Sequence, residues 1–448
     1  MRAFLASSVA VVCATALALP LAAHASAAGS PAPPGSRARA DLPGSTRSLP
    51  LTAPGGSLRR PAARDAERGV TARNIRPFAL VGVVWDDPAA DLRGRVQVRT
   101  RAAGTGVWSA WRDLQTHNDD APDAGSPERR AGRVRGSTAP LWVGNSDGVQ
   151  ARVRPEAGTG TRLPAGLRLE LVDPGEAPTG RALTGRPPAT DPAGGDSPDT
   201  EPPDHGSGDS GFPETETPSS EEASGPEPAA LGPLVLEEEA VAPGAAPGAA
   251  PRPRIVTRAG WGADEKLRES KFSYTKTVKA AFVHHSATGN NYSCGQVPAI
   301  LRGIYRYHVK SSGWRDIGYN FAVDKCGNVY EGRAGGVARA VLGAHTLGFN
   351  SNTMGVAVLG TYGSESPPQA ALDGLARLTA WKLGLFGRNP NGSTTLVSAG
   401  SNKYRQGVKV KLKVVSGHRD GFVTDCPGGR LYSKLGSVRS AAARLQGR

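Results

Sequence analysis

Residues 187–250 hold fourteen Asp or Glu and no Lys or Arg, and this run decides how the chain can divide. It is rich in Pro, Gly, Ser and Glu and passes through APGAAPGAA into the basic PRPR of 251–254. Such a stretch has too little apolar surface to offset the entropy of ordering it, so a semi-extended linker is expected over 179–250. Within it only LGPLVLEEEAV has the composition of a lone strand. A chain of 448 residues is too long for one ordinary domain, and the linker leaves a foldable segment on either side. Charge then reverses: residues 251–448 hold 29 Lys or Arg against ten Asp or Glu, a formal balance of +19.

The N-terminus has one early Arg, an apolar stretch from Phe4 to Leu21, and the small-residue exits Ala23-His24-Ala25 and Ala25-Ser26-Ala27. Residues 1–27 therefore read as a signal peptide. The apolar run stops short of a comfortable bilayer span, and no later segment is long and apolar enough to make one. Export with no stable membrane insertion after signal removal is expected, and export argues against nucleic acid as the partner of the basic module.

Residues 28–73, rich in Ala, Pro, Gly, Ser and Arg, read as a disordered basic arm. From 74 to 178 come short runs, FALVGVVW, GRVQVRTR, PLWVGN, VQARVRP and LRLELV, with period-two alternation and intervening turn residues. An all-β, sandwich-like accessory domain is expected, independent and tethered through the linker. Four of the seven Trp lie here, Trp85, Trp108, Trp111 and Trp142. Trp108 and Trp111 are candidates to stack on sugars, although tryptophans in a small sandwich more often fill its core.

Residues 251–448 alternate strand and helix signals. KAAFVHHS reads as a strand, and QVPAILRGIYRYHVKSSG as a helix with Val297, Ile300, Leu301 and Ile304 on one face. YNFAVD and NVYEGR form a hairpin around Lys325 to Asn328, and MGVAVLG is a strand buried on both faces. PPQAALDGLARLTAWKLGLFG is a helix, VKVKLKVV a strand, and GGRLYSKLGSVRSAAARL a closing helix. The fold class expected is α/β, a mixed central sheet flanked by helices.

Two pieces of this module carry chemistry. SGHRDGFVTDCPGG places His418 and Cys426 eight residues apart on a loop, where an imidazole and a thiolate can turn toward one point. FVHHSAT ends an apolar strand with adjacent histidines, which face opposite sides of it. A loop His is by itself usually solvated, and a lone Cys is usually a small buried hydrophobe. Together they suggest a His, His, Cys zinc centre with one open position, an arrangement of hydrolases.

HHSAT, GWRDIGYNF, YEGR, GAHTLGFN and GHRDGFVTDCPG occur in that order, and the module over roughly 254–446 resembles the peptidoglycan recognition proteins and the related N-acetylmuramoyl-L-alanine amidases, including the bacteriophage amidase-type lysozymes. The resemblance implies that His284, His418 and Cys426 ligate Zn2+. Tyr319 matches the family's active-site tyrosine, and Thr424 stands where the phage enzymes carry Lys and recognition proteins often carry Thr; both are catalytic candidates, the Thr424 hydroxyl as a group that steadies an oxyanion without bringing positive charge. His345 matches a groove residue, Trp314, Arg333 and Asn350 are further groove residues, and His308 is structural. After YEGR this chain reads AGG, where members that recognise diaminopimelate often have Gly-Trp. With Cys426 a ligand, Cys294 and Cys326 remain as the natural disulfide pair of an exported protein. The implied function is a secreted, cell-wall-associated, monomeric zinc amidase that cleaves between N-acetylmuramic acid and L-alanine in peptidoglycan, whose anionic wall suits the basic module. The alternatives are a non-catalytic recognition protein, and a cysteine hydrolase with Cys426 as nucleophile and His418 as base.

Overall fold

The computed structural model describes residues 44–53, 67–116, 120–156, 162–176 and 248–448. The expected signal peptide and nearly all of the expected linker lie outside these residues. Asp41–Arg448 form one compact unit, built from an N-terminal β module and a C-terminal α/β module.

The N-terminal module holds β1 (Ser45–Pro50), β2 (Arg68–Ala72), β3 (Phe78–Trp85), β4 (Gly94–Ala102), β5 (Arg112–Leu114), β6 (Gly136–Ser137), β7 (Leu141–Pro155) and β8 (Arg168–Asp173), with one helical turn, α1 (Pro127–Arg130). These strands join into a single eight-stranded hydrogen-bonded sheet, β1-β8-β3-β7-β4-β5, with β2 on β7 and β6 on β3. Two expectations are corrected. PLWVGN and VQARVRP are one strand, because β4 pairs with β7 from Gly94↔Pro155 to Ala102↔Ser146 and carries the ladder across the bulge at Arg101. The expected disordered arm contributes β1 and β2, whose backbone groups pair with β8 and β7.

Every residue of β3 is buried, which a half-solvated strand would not allow. Its two faces fill two different cores. Val81, Val83 and Trp85 pack with Val96, Val98, Val153 and Leu169 of their own module. Leu80 and Val84 join Trp142 and Val172 in a core shared with Ile300, Leu301, Ile304 and Tyr307 of the C-terminal module. The tethered, independent module expected from the linker is thus replaced by two modules with a common core.

The C-terminal module is built on a six-stranded mixed sheet. Its strands are β9 (Ile255–Val256), β10 (Ala280–His285), β11 (Phe321–Val323), β12 (Val329–Glu331), β13 (Thr353–Val358) and β16 (Val415–Gly417), in the order β16-β10-β13-β11-β12-β9. β14 (Ser393–Val397) and β15 (Lys409–Lys413) form a separate antiparallel ribbon. β10 is parallel to β13 on one side and β16 on the other, buried on both faces as parallel strands are. The helices are α2 (Val297–Arg306), α3 (Gln369–Gly384), the short turns α4 (His418–Gly421) and α5 (Gly429–Tyr432), and α6 (Leu435–Leu445). α3 and α6 cover one sheet face through Leu375, Leu378, Val438 and Ala442. α2 packs between the opposite face and the N-terminal β3.

Candidate metal centre and its groove

The centre forms where β10 and β16 end side by side. Their parallel register, Val283↔Gly417, puts His284 and His418 next to each other, with ring centroids 4.5 Å apart. His418 opens the short turn α4 instead of lying on the irregular loop expected from its glycines. Asp420 holds that turn by accepting the Gly417 N–H at 2.9 Å and the Tyr432 hydroxyl at 2.7 Å. Cys426 returns on the following loop, tied by Arg419 N–H to Cys426 O at 3.1 Å and by Cys426 N–H to Thr424 Oγ1 at 3.2 Å.

One donor atom from each of His284, His418 and Cys426 lies within 4.8 Å of the others, and all three residues are buried. Cys426 Sγ is 3.8 Å from His284 Nδ1. His284 Nε2 faces Thr346 Oγ1 at 3.3 Å, which leaves Nδ1 to ligate. Among the described residues neither ring nitrogen of His418 makes an aligned hydrogen bond, a buried arrangement that is costly unless an ion uses one of them. Two imidazoles and one thiol are a zinc donor set, so the residues present fit zinc. Burial lowers the readiness of His284 to protonate, with Asp120 opposing that effect, and a neutral ring is the form that binds metal. The other close grouping, Cys294 with Cys326 and Asp324, is a disulfide between the two cysteines, with Cα atoms 6.4 Å apart.

Around this centre the sequence-derived residues fall into two groups. Tyr319, 4 % exposed, has its ring centroid 5.5 Å from that of His284. Burial, then the neighbouring Asp120, pushes its phenol well above the ordinary range, so it is a proton-bearing donor. His345 has no exposed surface; it packs edge-on against His284 at 5.4 Å and bonds Thr346 Oγ1 at 3.0 Å. A Cβ at Gly355 would overlap that ring, so the bare glycine makes room for it. His345 therefore stands behind His284 and supports its ring. His308 accepts the Gly318 N–H at 3.1 Å and stacks on Trp314 at 4.3 Å, and burial holds it down at about 3. His285, on the far side of β10 from His284, accepts the Tyr362 N–H and pairs with Gln115 Oε1 at 2.9 Å.

Trp314, Arg333 and Asn350 share one property that the sequence gives no sign of: each touches the segment 120–135 of the N-terminal module. Arg333 grips Glu128 with both Nη atoms, at 3.0 and 3.1 Å, and each side chain is 7 % exposed. Burial alone would raise the Glu128 carboxyl, but Arg333 outweighs it and holds it below the usual range. Asn350 Nδ2 donates to Ala121 O at 2.9 Å and to Asp123 Oδ1 at 2.8 Å, which also accepts the Gly348 N–H at 2.6 Å. Trp314 packs against Ala121 and Val134. The residue missed outright is Asp120. Its Oδ1 stands 2.9 Å from His284 Nδ1 and 3.2 Å from His418 Nδ1, and its Oδ2 accepts the Tyr319 hydroxyl at 2.5 Å. Burial pushes its carboxyl up, yet His284 and His418 hold it well below the usual range.

Comparison with known proteins places this architecture. A family model described as N-acetylmuramoyl-L-alanine amidase matches residues 274–429, and one described as an N-terminal galactose-binding domain-like matches 34–184. Peptidoglycan-recognition protein SC2 of Drosophila simulans is 33% identical over 183 residues, 40% of this chain and 84% of that protein. The chain belongs to the peptidoglycan-recognition protein and type 2 amidase family. A human N-acetylmuramoyl-L-alanine amidase is 36% identical over 137 residues, 31% of this chain and 20% of that protein. The solved Drosophila PGRP-LB structure aligns at TM-score 0.33 and 27% identity, covering 41% of this chain and 93% of that one. The amidase family match lies within the C-terminal module. Asp120, Asp123 and Glu128 lie outside the amidase match, within the N-terminal one. Among the described residues no helix is long and apolar enough to cross a membrane.

Proposed function

We propose that the chain is a zinc-dependent N-acetylmuramoyl-L-alanine amidase acting on peptidoglycan. The observation that carries this reading is the convergence of His284, His418 and Cys426 beside the Tyr319 hydroxyl at the strand ends of a family amidase domain. A zinc ion held by these three residues supplies Lewis acidity toward a carbonyl and toward water. Tyr319 keeps its proton and donates it as a hydrogen bond to the oxyanion that develops at the scissile carbon. His345 and Thr346 steady the His284 ring through packing and the Nε2 contact. Thr424 serves the site by accepting the Cys426 N–H, which fixes the ligand loop.

Arg333 and Asn350 are proposed to bind the peptide stem. A guanidinium that already grips a carboxylate through two nitrogens has the right geometry for a stem carboxylate, and Asn350 offers an amide to a backbone carbonyl. Trp314 supports this wall from beneath. The Cys294–Cys326 disulfide suits an oxidising, extracytoplasmic compartment, in keeping with export and action at the wall.

A recognition protein without catalysis would need neither a thiolate ligand nor a phenol at the centre, and this chain has both. The test is mass analysis of soluble products released from purified peptidoglycan, with and without a chelator. Free stem peptides beginning with L-alanine, lost on chelation, support the amidase. Release that persists under chelation points to Cys426 as a nucleophile, and tight wall binding with no release by a chain that retains no metal points to recognition alone.

A further inference from the structure

Asp120 belongs to the N-terminal module, yet its carboxylate sits at the centre of the other one. His284 Nδ1 and His418 Nδ1 both close on Oδ1, yet among the described residues neither Oδ1 nor a ring nitrogen of His418 makes an aligned hydrogen bond. Atoms that crowd one place without bonding one another are arranged as ligands are. Neighbouring ligands on a tetrahedral zinc lie about 3.3–3.7 Å apart; His418 Nδ1 to Asp120 Oδ1 is 3.2 Å and Cys426 Sγ to His284 Nδ1 is 3.8 Å, while His284 Nδ1 to Asp120 Oδ1 is shorter, at 2.9 Å.

We propose that Asp120 takes the fourth position of the metal centre, and that residues 120–135 are a built-in occupant of the groove that keeps the site latent until they are withdrawn. The proposal rests on the zinc reading of His284, His418 and Cys426. Three protein ligands with an open fourth position make a catalytic site, whereas four make a closed one.

The rest of the segment behaves as an occupant should. It offers the groove three carboxylates and a backbone carbonyl, the same kinds of group that a peptide stem carries. Asp120 takes the Tyr319 hydroxyl, Asp123 and Ala121 O take Asn350, and Glu128 takes Arg333. Beyond Glu128, Val134 covers Trp314, and Arg135 N–H bonds Ser312 O at 3.0 Å. Substrate that reaches these side chains must therefore displace the segment from each of them. Because the occupant is part of the same chain, it acts at a high effective concentration. If the docked state is favoured a hundredfold, apparent substrate affinity falls by roughly the same factor.

The test uses the full chain, loaded with Co(II) and read by its visible ligand-field bands, with acetohydroxamate as a small metal-binding probe. Wild type is expected to bind one metal ion and to show bands that acetohydroxamate leaves unchanged. Asp120→Ala should still bind one ion, with affinity lowered roughly tenfold or more, and its bands should shift on addition of the probe. Asp120→Asn keeps the side-chain volume and an acceptor for Tyr319, so a probe response there cannot come from misfolding. Both variants should turn over a soluble muropeptide faster than wild type. Wild-type bands that respond to the probe as fully as those of Asp120→Ala overturn the latency while leaving the metal reading intact. A wild type that binds no metal overturns the metal reading itself.

Discussion

Cys426 is the most diagnostic single residue, because an amidase and a bare recognition site differ most at the thiolate. Cys426→Ser removes a charge and a strong soft ligand while preserving size. It is expected to abolish metal retention and product release while leaving the fold and wall binding in place, as checked by metal analysis and a sedimentation assay. Full activity in this variant would remove Cys426 from the ligand set. Tyr319→Phe removes only the hydroxyl. Turnover in a chain with its groove open should fall by roughly 10² or more with metal content unchanged; an unaltered rate would return Tyr319 to packing. That His284, His418, Cys426 and Tyr319 gather at one place was legible because short motifs fix them within one module. Asp120 was not, since it meets Tyr319 across 199 positions, and no local period or spacing marks a carboxylate that acts on another module.

At the scale of elements, β3 shows what alternation can and cannot say. FALVGVVW reads correctly as a strand, but a run apolar on both faces does not name the partner for its second face. Gly82 supplies the missing detail. A Cβ there would overlap the Tyr307 ring, whose hydroxyl reaches Val83 O at 3.3 Å and Thr138 O at 3.1 Å. The bare backbone at Gly82 is what lets the C-terminal module approach. Gly82→Ala should therefore overpack the shared core and cost about 1–3 kcal/mol in denaturant unfolding, although alanine is ordinarily the better strand residue. A neutral or stabilising result would show that the two modules part without penalty. The disulfide belongs to the same scale. It ties the start of α2 to the β11–β12 hairpin over a separation of 32 residues, and Cys294→Ala with Cys326→Ala should cost about 3–4 kcal/mol by chain entropy.

For the whole molecule, the acidic run at 187–250 pointed to two separately folded bodies, and only the structure showed that they share a core. Composition marks where a chain cannot fold; it does not say whether the parts on either side dock. Here they do, through apolar contact and through polar ties such as Ser311 Oγ to Glu170 Oε2 at 3.0 Å and Arg302 to the carbonyls of Pro174 and Gly175. Removing residues 1–247 would strip Leu80, Val84, Trp142 and Val172 from α2 and its neighbours. At about 1.5–3 kcal/mol for each large apolar side chain buried, this is a loss of about 6–12 kcal/mol, comparable with the whole stability of a typical domain. The isolated C-terminal module is therefore expected to melt well below the full chain and to bind a hydrophobic dye through the uncovered face of α2. Whatever fraction remains folded should bind metal and cleave soluble muropeptides without latency, because every proposed catalytic group lies within it and Asp120 does not. A truncated module with the melting temperature of the full chain and no dye binding would show that the shared core adds nothing to its stability, and the N-terminal module would then be a detachable cover.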